Sequence, residues 1–277
     1  LSSIYLGLFL LNCLVWYWVA VGGPKDYLNL YFMDVGQGDS ALAILPGGAK
    51  ILFDGGPDKT LLSNLGKVLP ATDRRIDLVI LSHPQADHFT GLISLLDRYE
   101  IGYFIWNGRQ GEIETWKSLV SALNSKRVNT LRLMEGDGIK YRESEIKFLS
   151  PDKTELEDIE LNNTVLVAEL FSGGVKTLFT GDIGFDVEHR LVEKYDIDVD
   201  ILKVAHHGSK YSSGDELLRE ATPAVSVIQV GKNTYGHPTK DTLDRLSAIG
   251  SVIYRNDKDG TVHIEAENGR LNIFKER

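Results

Sequence analysis

The sequence predicts an α/β fold in which two β-sheets pack face to face and helices cover their outer faces. Two observations predict it. Runs of strand length either alternate between apolar and polar residues or are continuously apolar, and amphipathic runs of helical length lie on either side of them. This order of strands and helices occurs twice along the chain, without a residue-level repeat. Two packed sheets with outer helices accommodate such an order.

The individual elements follow from periodicity and from the turn residues between them. In the first half we predict strands at 28–34, 40–45, 50–54, 76–81 and 103–106, and helices at 60–69, 91–99 and 114–126. In the second half we predict a hairpin-like pair at 140–149, strands at 165–171, 177–180, 200–205, 225–230, 252–254, 260–265 and 270–274, and helices at 186–194, 215–220 and 240–249.

The N-terminus differs from the rest of the chain. Residues 4–21 carry no charge, and a membrane-spanning helix needs about 20 such residues. We therefore predict a transmembrane helix at 1–22, a linker at 23–27 and one hydrolase domain at 28–277; a buried core helix is the alternative. Because the chain begins with Leu1, we expect it to be a fragment with further membrane segments upstream.

Composition excludes several classes of protein. Of the 277 residues, 43% are hydrophobic and 25% are charged, which is typical of a globular chain and excludes a disordered one. The net charge of -9 argues against binding duplex DNA by surface charge alone. Cys13 is the only cysteine, so an intrachain disulfide and a thiolate zinc site are both excluded.

The segment 82–88 (SHPQADH) is the first candidate site. His83, Asp87 and His88 follow the buried strand predicted at 76–81. Two imidazoles and a carboxylate that converge after a strand end can bind a divalent metal. A six-residue match alone could arise by chance, so the interpretation depends on other segments.

Three other strand ends carry residues of the same chemistry. Asp182 follows a glycine turn, His206 and His207 follow an apolar strand, and His237 lies in a Gly-His-Pro turn. Adjacent histidines on a strand point to opposite faces, so only one of that pair should be a ligand. The two remaining histidines, His189 and His263, fall in an ordinary helix and an ordinary strand.

Together these motifs resemble the metallo-β-lactamase superfamily, and within it the C-terminal domain of the ComEC DNA-uptake competence family. The matching segments are DVGQGDS (34–40), FDGG (53–56), SHPQADH (82–88), LNNT (161–164), FTGD (179–182), HHGS (206–209) and GHP (236–238). The resemblance covers about residues 28–265 and implies a four-layer αββα sandwich. In that family the domain follows a multi-helix membrane channel, which agrees with the apolar N-terminus.

The resemblance also implies a set of metal ligands. The superfamily motif His-x-His-x-Asp-His falls on His83, Gln85, Asp87 and His88, so glutamine replaces the second histidine. The superfamily's next histidine position falls on Asn163. The implied bridging carboxylate is Asp182, and the last histidine is His207 rather than His206, which would then lie behind the ligands.

One implied metal position therefore has His83, Gln85, Asn163 and Asp182, and the other has Asp87, His88, Asp182 and His207. Amide oxygens are harder and weaker ligands than imidazoles, which favours Mn²⁺ or Mg²⁺ over Zn²⁺ at the first position. We expect one strong and one weaker metal, with a single-metal site as the alternative.

Supporting roles follow for other residues. Asp54 can fix the tautomer of a ligand imidazole. Asp39 and Gln37 lie on the adjacent glycine loop, and His237 could protonate a leaving oxygen or bind phosphate. Lys203 and Lys210 lie near the histidine pair and could meet an anionic substrate, but the prediction for both is an ordinary solvated lysine.

The resemblance implies metal-dependent hydrolysis in which Asp87 orients the attacking water or takes its proton. The expected substrate is a phosphodiester in DNA, single-stranded and linked to competence. The expected location is the bacterial cell membrane, with the hydrolase domain on the extracytoplasmic face. The alternatives are hydrolysis of a lactone, β-lactam or phosphocholine ester, and a non-catalytic domain that binds DNA or a partner. The sequence predicts no oligomeric state.

Overall fold

The structure is a computed structural model that describes residues 2–21, 23 and 25–277. Its strands are β1 (Leu28–Phe32), β2 (Ala41–Ile44), β3 (Lys50–Phe53), β4 (Arg75–Ile80), β5 (Glu100–Trp106), β6 (Asn129–Arg132), β7 (Gly138–Tyr141), β8 (Ser144–Ser150), β9 (Val167–Ser172), β10 (Val175–Phe179), β11 (Ile201–Lys203), β12 (Val225–Ile228), β13 (Val252–Arg255), β14 (Val262–Glu267) and β15 (Arg270–Lys275). Its α-helices are α1 (Ser2–Val21), α2 (Thr60–Val68), α3 (Ala86–Leu95), α4 (Glu114–Ser125), α5 (Phe185–Lys194), α6 (Asp215–Ala221), α7 (Lys240–Ala248) and α8 (Asn256–Asp259).

The strands form two sheets. The first has eight strands in the order β15-β14-β1-β2-β3-β4-β5-β6, and the second has seven in the order β13-β12-β11-β10-β9-β8-β7. Strands β3 to β6 are parallel, and so are β10 to β13. Since carboxyl ends of neighbouring parallel strands meet at one edge, each sheet presents a row of strand-end loops there.

The layers are held together by three apolar cores. Between the sheets, the rings of Phe53 and Phe179 stack with their centroids 3.9 Å apart. On the outer face of the first sheet, Phe89 of α3 meets Trp116 of α4 edge to face at 5.3 Å. A third core packs α5, α6 and α7 on the second sheet. The predicted α/β sandwich of two sheets and outer helices is confirmed.

The N-terminal run is helical, as α1, and its large apolar side chains from Ile4 to Tyr17 are exposed. Among the described residues, no helix combines the length and the apolar character that crossing a membrane requires. The transmembrane helix predicted at residues 1–22 is therefore not confirmed. Leu1, Gly22 and Pro24 lie outside the described residues, and with them part of the predicted linker.

One predicted element needs correction, and strand β6 and the short helix α8 were not predicted. The helix predicted at 91–99 begins earlier, at Ala86, because Gln85 is still extended (φ -95°, ψ 145°) and the chain turns directly after it. Asp87 and His88 therefore lie in the first turn of α3. Strand β6 was not predicted, because all four of its residues are exposed and give no alternation.

Candidate metal centre

The predicted metal ligands meet beyond the carboxyl ends of the parallel strands. His83 follows β4, Asp182 follows β10, and His206 and His207 follow β11. A backbone hydrogen bond from Leu166 N to Ser82 O (2.8 Å) joins the two sheets at this edge. The strand-end loops of both sheets thus enclose one site.

Four residues converge most closely. Ligand atoms of Asp87, His88, Asp182 and His207 all lie within 4.8 Å of one another. His207 Nε2 is 3.2 Å from Asp87 Oδ2 and 3.4 Å from Asp182 Oδ2. His88 Nε2 is 3.3 Å from Asp182 Oδ2 and 3.9 Å from Asp87 Oδ2. We call these four residues the acidic half of the site.

The orientation of the two imidazoles fits metal binding. His88 Nδ1 is held by Asp54 Oδ2 at 2.8 Å, and His207 Nδ1 by the carbonyl of Gln229 at 2.9 Å. Within the described part of the chain, the buried atoms His88 Nε2 and Asp182 Oδ1 have no hydrogen-bond partner. Buried polar atoms normally have partners, so these unpaired atoms fit a cation between them. Anchoring one ring nitrogen while the other faces the metal is the usual arrangement of ligand histidines.

A buried ion pair lies directly behind the acidic half. Lys203 is 2% exposed and contacts the carboxylate of Asp39, which is also buried. Its Nζ donates to the carbonyl of Gly181 (2.9 Å) and lies 3.8 Å from Asp182 Oδ1. Asp39 Oδ1 is 3.3 Å from His207 Nδ1. The prediction that Lys203 is solvated is wrong, because β11 points it inward at several carboxylates; Lys210 is exposed as predicted.

The charges within the site shift the pKa values of His88 and of the two aspartates in opposite directions. Burial alone would lower the pKa of His88, but Asp182 and Asp54 raise it well above its usual range. Burial alone would raise the pKa of Asp182, but His207 and His88 hold it well below its usual range. The pKa of Asp87 is likewise lowered against the effect of burial by His88 and His207. The carboxylates are therefore ionised and available to a cation.

The other predicted ligands are less closely assembled, and we call His83, Gln85 and Asn163 the amide half. His83 is buried, with Nδ1 2.9 Å from Ser82 Oγ and Nε2 unpaired. Gln85 borders the cleft but donates its amide to Asn162 Oδ1 at 2.7 Å. Asn163 donates its amide to Asp158 Oδ2 at 3.0 Å. Thus Asn162, rather than Asn163, is the asparagine that contacts Gln85.

The His206-His207 segment forms a tight turn. Both residues have positive φ (50° and 53°), so the strand geometry assumed for them is wrong. Gly181 faces this turn and accepts a hydrogen bond from His206 N at 3.0 Å. A Cβ on Gly181, whose φ is +53°, would lie 2.6 Å from Val165 Cγ1. The turn places His207 inside, while His206 is one-third exposed and lies 3.9 Å from Asp182.

The glycine loop closes over the start of α3. Asp39 N donates to the carbonyl of Asp87 at 3.3 Å, and a Cβ on Gly38 would lie 2.3 Å from that carbonyl oxygen. The Gln37 side chain accepts from Gly231 N at 3.2 Å and borders the cleft. These contacts place Gln37 at the rim and Asp39 behind the ligands.

The cleft above the acidic half has a volume of about 460 Å³ and reaches His206, His237 and Tyr235. His237 Nδ1 is buried without a partner, and burial together with the charge of His206 lowers the pKa of the imidazole. Asn233 holds this turn, since its side chain accepts from His237 N and donates to His237 O. His237 therefore faces the same space as Asp87.

Several residues of the site were not predicted from the sequence. They are Ser82, which donates to Asp54 at 2.7 Å, and the residues Asn162, Gln229, Asn233 and Tyr235. Only Ser82 and Asn162 could have been found from the sequence, because they lie inside the motifs SHPQADH and LNNT. The other three act through backbone contacts or through the cleft wall.

The chain is similar to a known protein family and to two competence proteins. A family model described as the metallo-beta-lactamase superfamily matches residues 33–232. ComE operon protein 3 of Bacillus subtilis (strain 168) is 28% identical over 262 residues, which is 87% of this chain and 33% of that protein. Competence protein ComA of Neisseria gonorrhoeae is 27% identical over 261 residues, 91% of this chain and 35% of that protein. The chain thus spans about a third of the length of these relatives.

Solved structures share the fold. The metallo-beta-lactamase fold protein YhfI from Bacillus subtilis superposes with a TM-score of 0.58 at 14% identity, covering 90% of this chain and all of that one. The metallo hydrolase Igni18 from Ignicoccus hospitalis gives a TM-score of 0.53 at 18% identity, covering 91% of this chain and all of that one.

Proposed function

The chain belongs to the metallo-beta-lactamase superfamily, and we propose that residues 28–277 form a metal-dependent phosphodiesterase that cleaves single-stranded DNA. The observation that carries the proposal is the convergence of Asp87, His88, Asp182 and His207 on one cleft, with His88 Nε2 and Asp182 Oδ1 unpaired. The similarity to competence proteins supports DNA as the substrate.

The acidic half would hold the metal. Two imidazole nitrogens and two carboxylates suit Mn²⁺ or Zn²⁺, and Mg²⁺ is a further candidate. When bound, a divalent cation lowers the pKa of water and offsets the charge of a phosphodiester. The amide half offers oxygen ligands and one buried imidazole, so it would hold a second ion more weakly or not at all.

The chain's own residues supply the remaining chemistry. Asp87 is ionised and borders the cleft, so its carboxylate can accept the proton of the attacking water. Asp54 fixes the tautomer of His88, because its carboxylate accepts from Nδ1 and leaves Nε2 free as a ligand. His237 is neutral at pH 7 and carries one N–H, which can donate to the leaving oxygen.

The proposal is tested by incubating the protein with fluorescent single-stranded DNA and Mn²⁺, beside a chromogenic β-lactam. We expect DNA cleavage that Asp87→Asn abolishes and Asp97→Asn leaves intact, since Asp97 is an exposed carboxylate beyond the same helix. Turnover of the lactam without DNA cleavage would replace the proposal with the lactam alternative. A folded protein that takes up no metal would favour the non-catalytic alternative.

We also propose that the protein works at a bacterial membrane, with the cleft on the extracytoplasmic side. Helix α1 supports the membrane location, because Leu6, Phe9, Leu10 and Leu14 are all more than half exposed, and water solvates such a surface poorly. In vesicle flotation we expect the protein to float with phospholipid, and Leu10→Glu with Leu14→Glu to release it. Flotation that is equal for both proteins would reject a role for α1.

A further inference from the structure

A second cleft opens at the same sheet edge as the metal centre. Strands β4, β5 and β6 are parallel neighbours, so their carboxyl ends lie side by side. The end of β4 leads to His83 of the metal centre. The end of β5 leads to Arg109, and β6 ends at Arg132. The two arginines therefore continue the row of loops that begins with the metal ligands.

This second cleft, lined by Arg109 and Arg132, has a volume of about 530 Å³. The Arg132 guanidinium lies over the Trp106 ring, with its Cζ 5.5 Å from the ring centroid. A Cβ on Gly108 would lie 3.1 Å from Arg132 Cδ, so the loop after β5 packs closely on this side chain. Ring and loop together restrict the guanidinium, which lowers the entropy cost of binding an anion.

The cleft carries an excess of positive charge in a protein whose net charge is -9. Among the described residues, neither Arg109 nor Arg132 lies within ion-pair distance of a carboxylate. Of the described residues that line the cleft, Glu112 is the only acidic one. Arg109 donates to the carbonyl of Leu156 at 3.5 Å, which leaves most of its donors available.

One chain segment, residues 155–164, separates the two clefts and contacts both. On the metal side, Asn162 accepts a hydrogen bond from Gln85. On the arginine side, the carbonyl of Thr164 accepts from Asn107 and that of Leu156 accepts from Arg109. The two clefts therefore lie on either side of the same chain segment.

We infer that the arginine cleft binds backbone phosphates of the same single-stranded nucleic acid whose phosphodiester reaches the metal centre. The inference rests on the proposed function and adds a subsite to it. Guanidinium groups match phosphate oxygens in geometry and charge, whereas the metal centre itself is lined by carboxylates. A strand that fills both clefts must be longer than one that fills the metal cleft alone, so substrate length should matter.

The test measures binding of a fluorescent 20-nucleotide DNA strand by anisotropy, in EDTA so that no strand is cleaved. The variant is Arg109→Gln with Arg132→Gln, and its control is Arg98→Gln with Arg127→Gln. Both pairs remove the same charge, but Arg98 and Arg127 are exposed and precede β5 and β6, at the opposite edge. A separate variant, Glu112→Gln, removes the negative charge from the cleft.

We expect the Arg109/Arg132 pair to lose at least about tenfold in affinity, from two charged hydrogen-bonding groups. The slope of log affinity against log salt should fall by about 1.4, at roughly 0.7 per phosphate for single strands. The control pair should lose less than about threefold, and Glu112→Gln should bind more tightly. The variant should also lose most of its preference for the 20-mer over a competing trinucleotide.

Equal losses in both arginine pairs, an unchanged salt slope, or a wild type that binds no DNA would overturn the subsite. Failure of the proposed function is read separately, from hydrolysis by the wild-type protein with Mn²⁺. A protein that binds DNA through Arg109 and Arg132 but cleaves none would keep the subsite and reject the nuclease.

Discussion

The acidic half and the amide half of the site use the same few strand-end loops in different ways. In the acidic half, Asp182 and His207 are buried and place ligand atoms within 3.4 Å of each other. In the amide half, Gln85 and Asn163 direct their amides to Asn162 and Asp158. The comparison shows that the acidic half is organised toward a cation, while in the amide half both amide nitrogens donate to protein groups and the buried His83 Nε2 is left unpaired among the described residues.

The support behind the two halves differs as well. Asp54, Asp39 and Lys203 lie behind the acidic half and contact its two imidazoles and the carboxylate of Asp182. The support behind His83 is chiefly Ser82, whose hydroxyl also donates a hydrogen bond to Asp54. Ligands held by such partners bind metal more tightly, so metal affinity should follow this difference.

The largest effect is expected for Asp182→Ala. Groups that only support a ligand account for about 10- to 100-fold in metal affinity, and the central ligand should exceed that. We expect metal content to fall below detection by mass spectrometry and DNA cleavage to stop. The matched control is Asp186→Ala, an exposed carboxylate four residues away. Metal retained in Asp182→Ala would place the ion outside the acidic half.

Lys203→Met should lower the stability of the fold, and not only the affinity for metal. Breaking a buried ion pair typically costs about 3–5 kcal/mol, because it leaves a buried charge, here Asp39, without its nearest cation. We expect a loss of that size in the free energy of unfolding, measured with urea on metal-free protein. Lys210→Met, at an exposed position, should change it by less than about 0.5 kcal/mol. Equal effects would mean that Lys203 does not balance the acidic half.

The two buried histidines of the motif should titrate in opposite directions in the metal-free protein. Burial, aided by the charge of His88, lowers the pKa of His83 to about 4. The folded protein then holds fewer protons than the unfolded chain, whose histidine pKa is about 6.5, so the contribution of His83 to stability is full above pH 6.5 and is lost toward pH 4. The raised pKa of His88 has the opposite sign.

Imidazole NMR resonances of the metal-free protein would check this. We expect the His83 ring to remain neutral down to about pH 4 and the His88 ring to remain charged above pH 6.5. Replacing each histidine in turn by asparagine would show which resonance belongs to which ring. Titration of both rings near the ordinary value would show that burial and charge do not distinguish the halves.

The sequence predicted the sandwich and the chemistry of its strand ends because both depend on local pattern. Buried strands read as apolar runs, and His83, Asp182 and His207 follow such strands directly. It failed where tertiary contacts decide. Lys203 reads as a solvated lysine, yet the fold pairs it with Asp39, which is 164 residues earlier in the chain. The exposed strand β6 carries no apolar signal, and the positive φ of His206 comes from the turn around Gly181.

The most direct test of the asymmetry is a calorimetric titration of the metal-free protein with Mn²⁺, compared between wild type and Gln85→His. We predict one tight ion in the wild type, held by Asp87, His88, Asp182 and His207. We also expect that an imidazole at position 85 strengthens a second, weaker binding event without altering the first. Two equally tight ions in the wild type, or none, would contradict the division of the site into an acidic and an amide half.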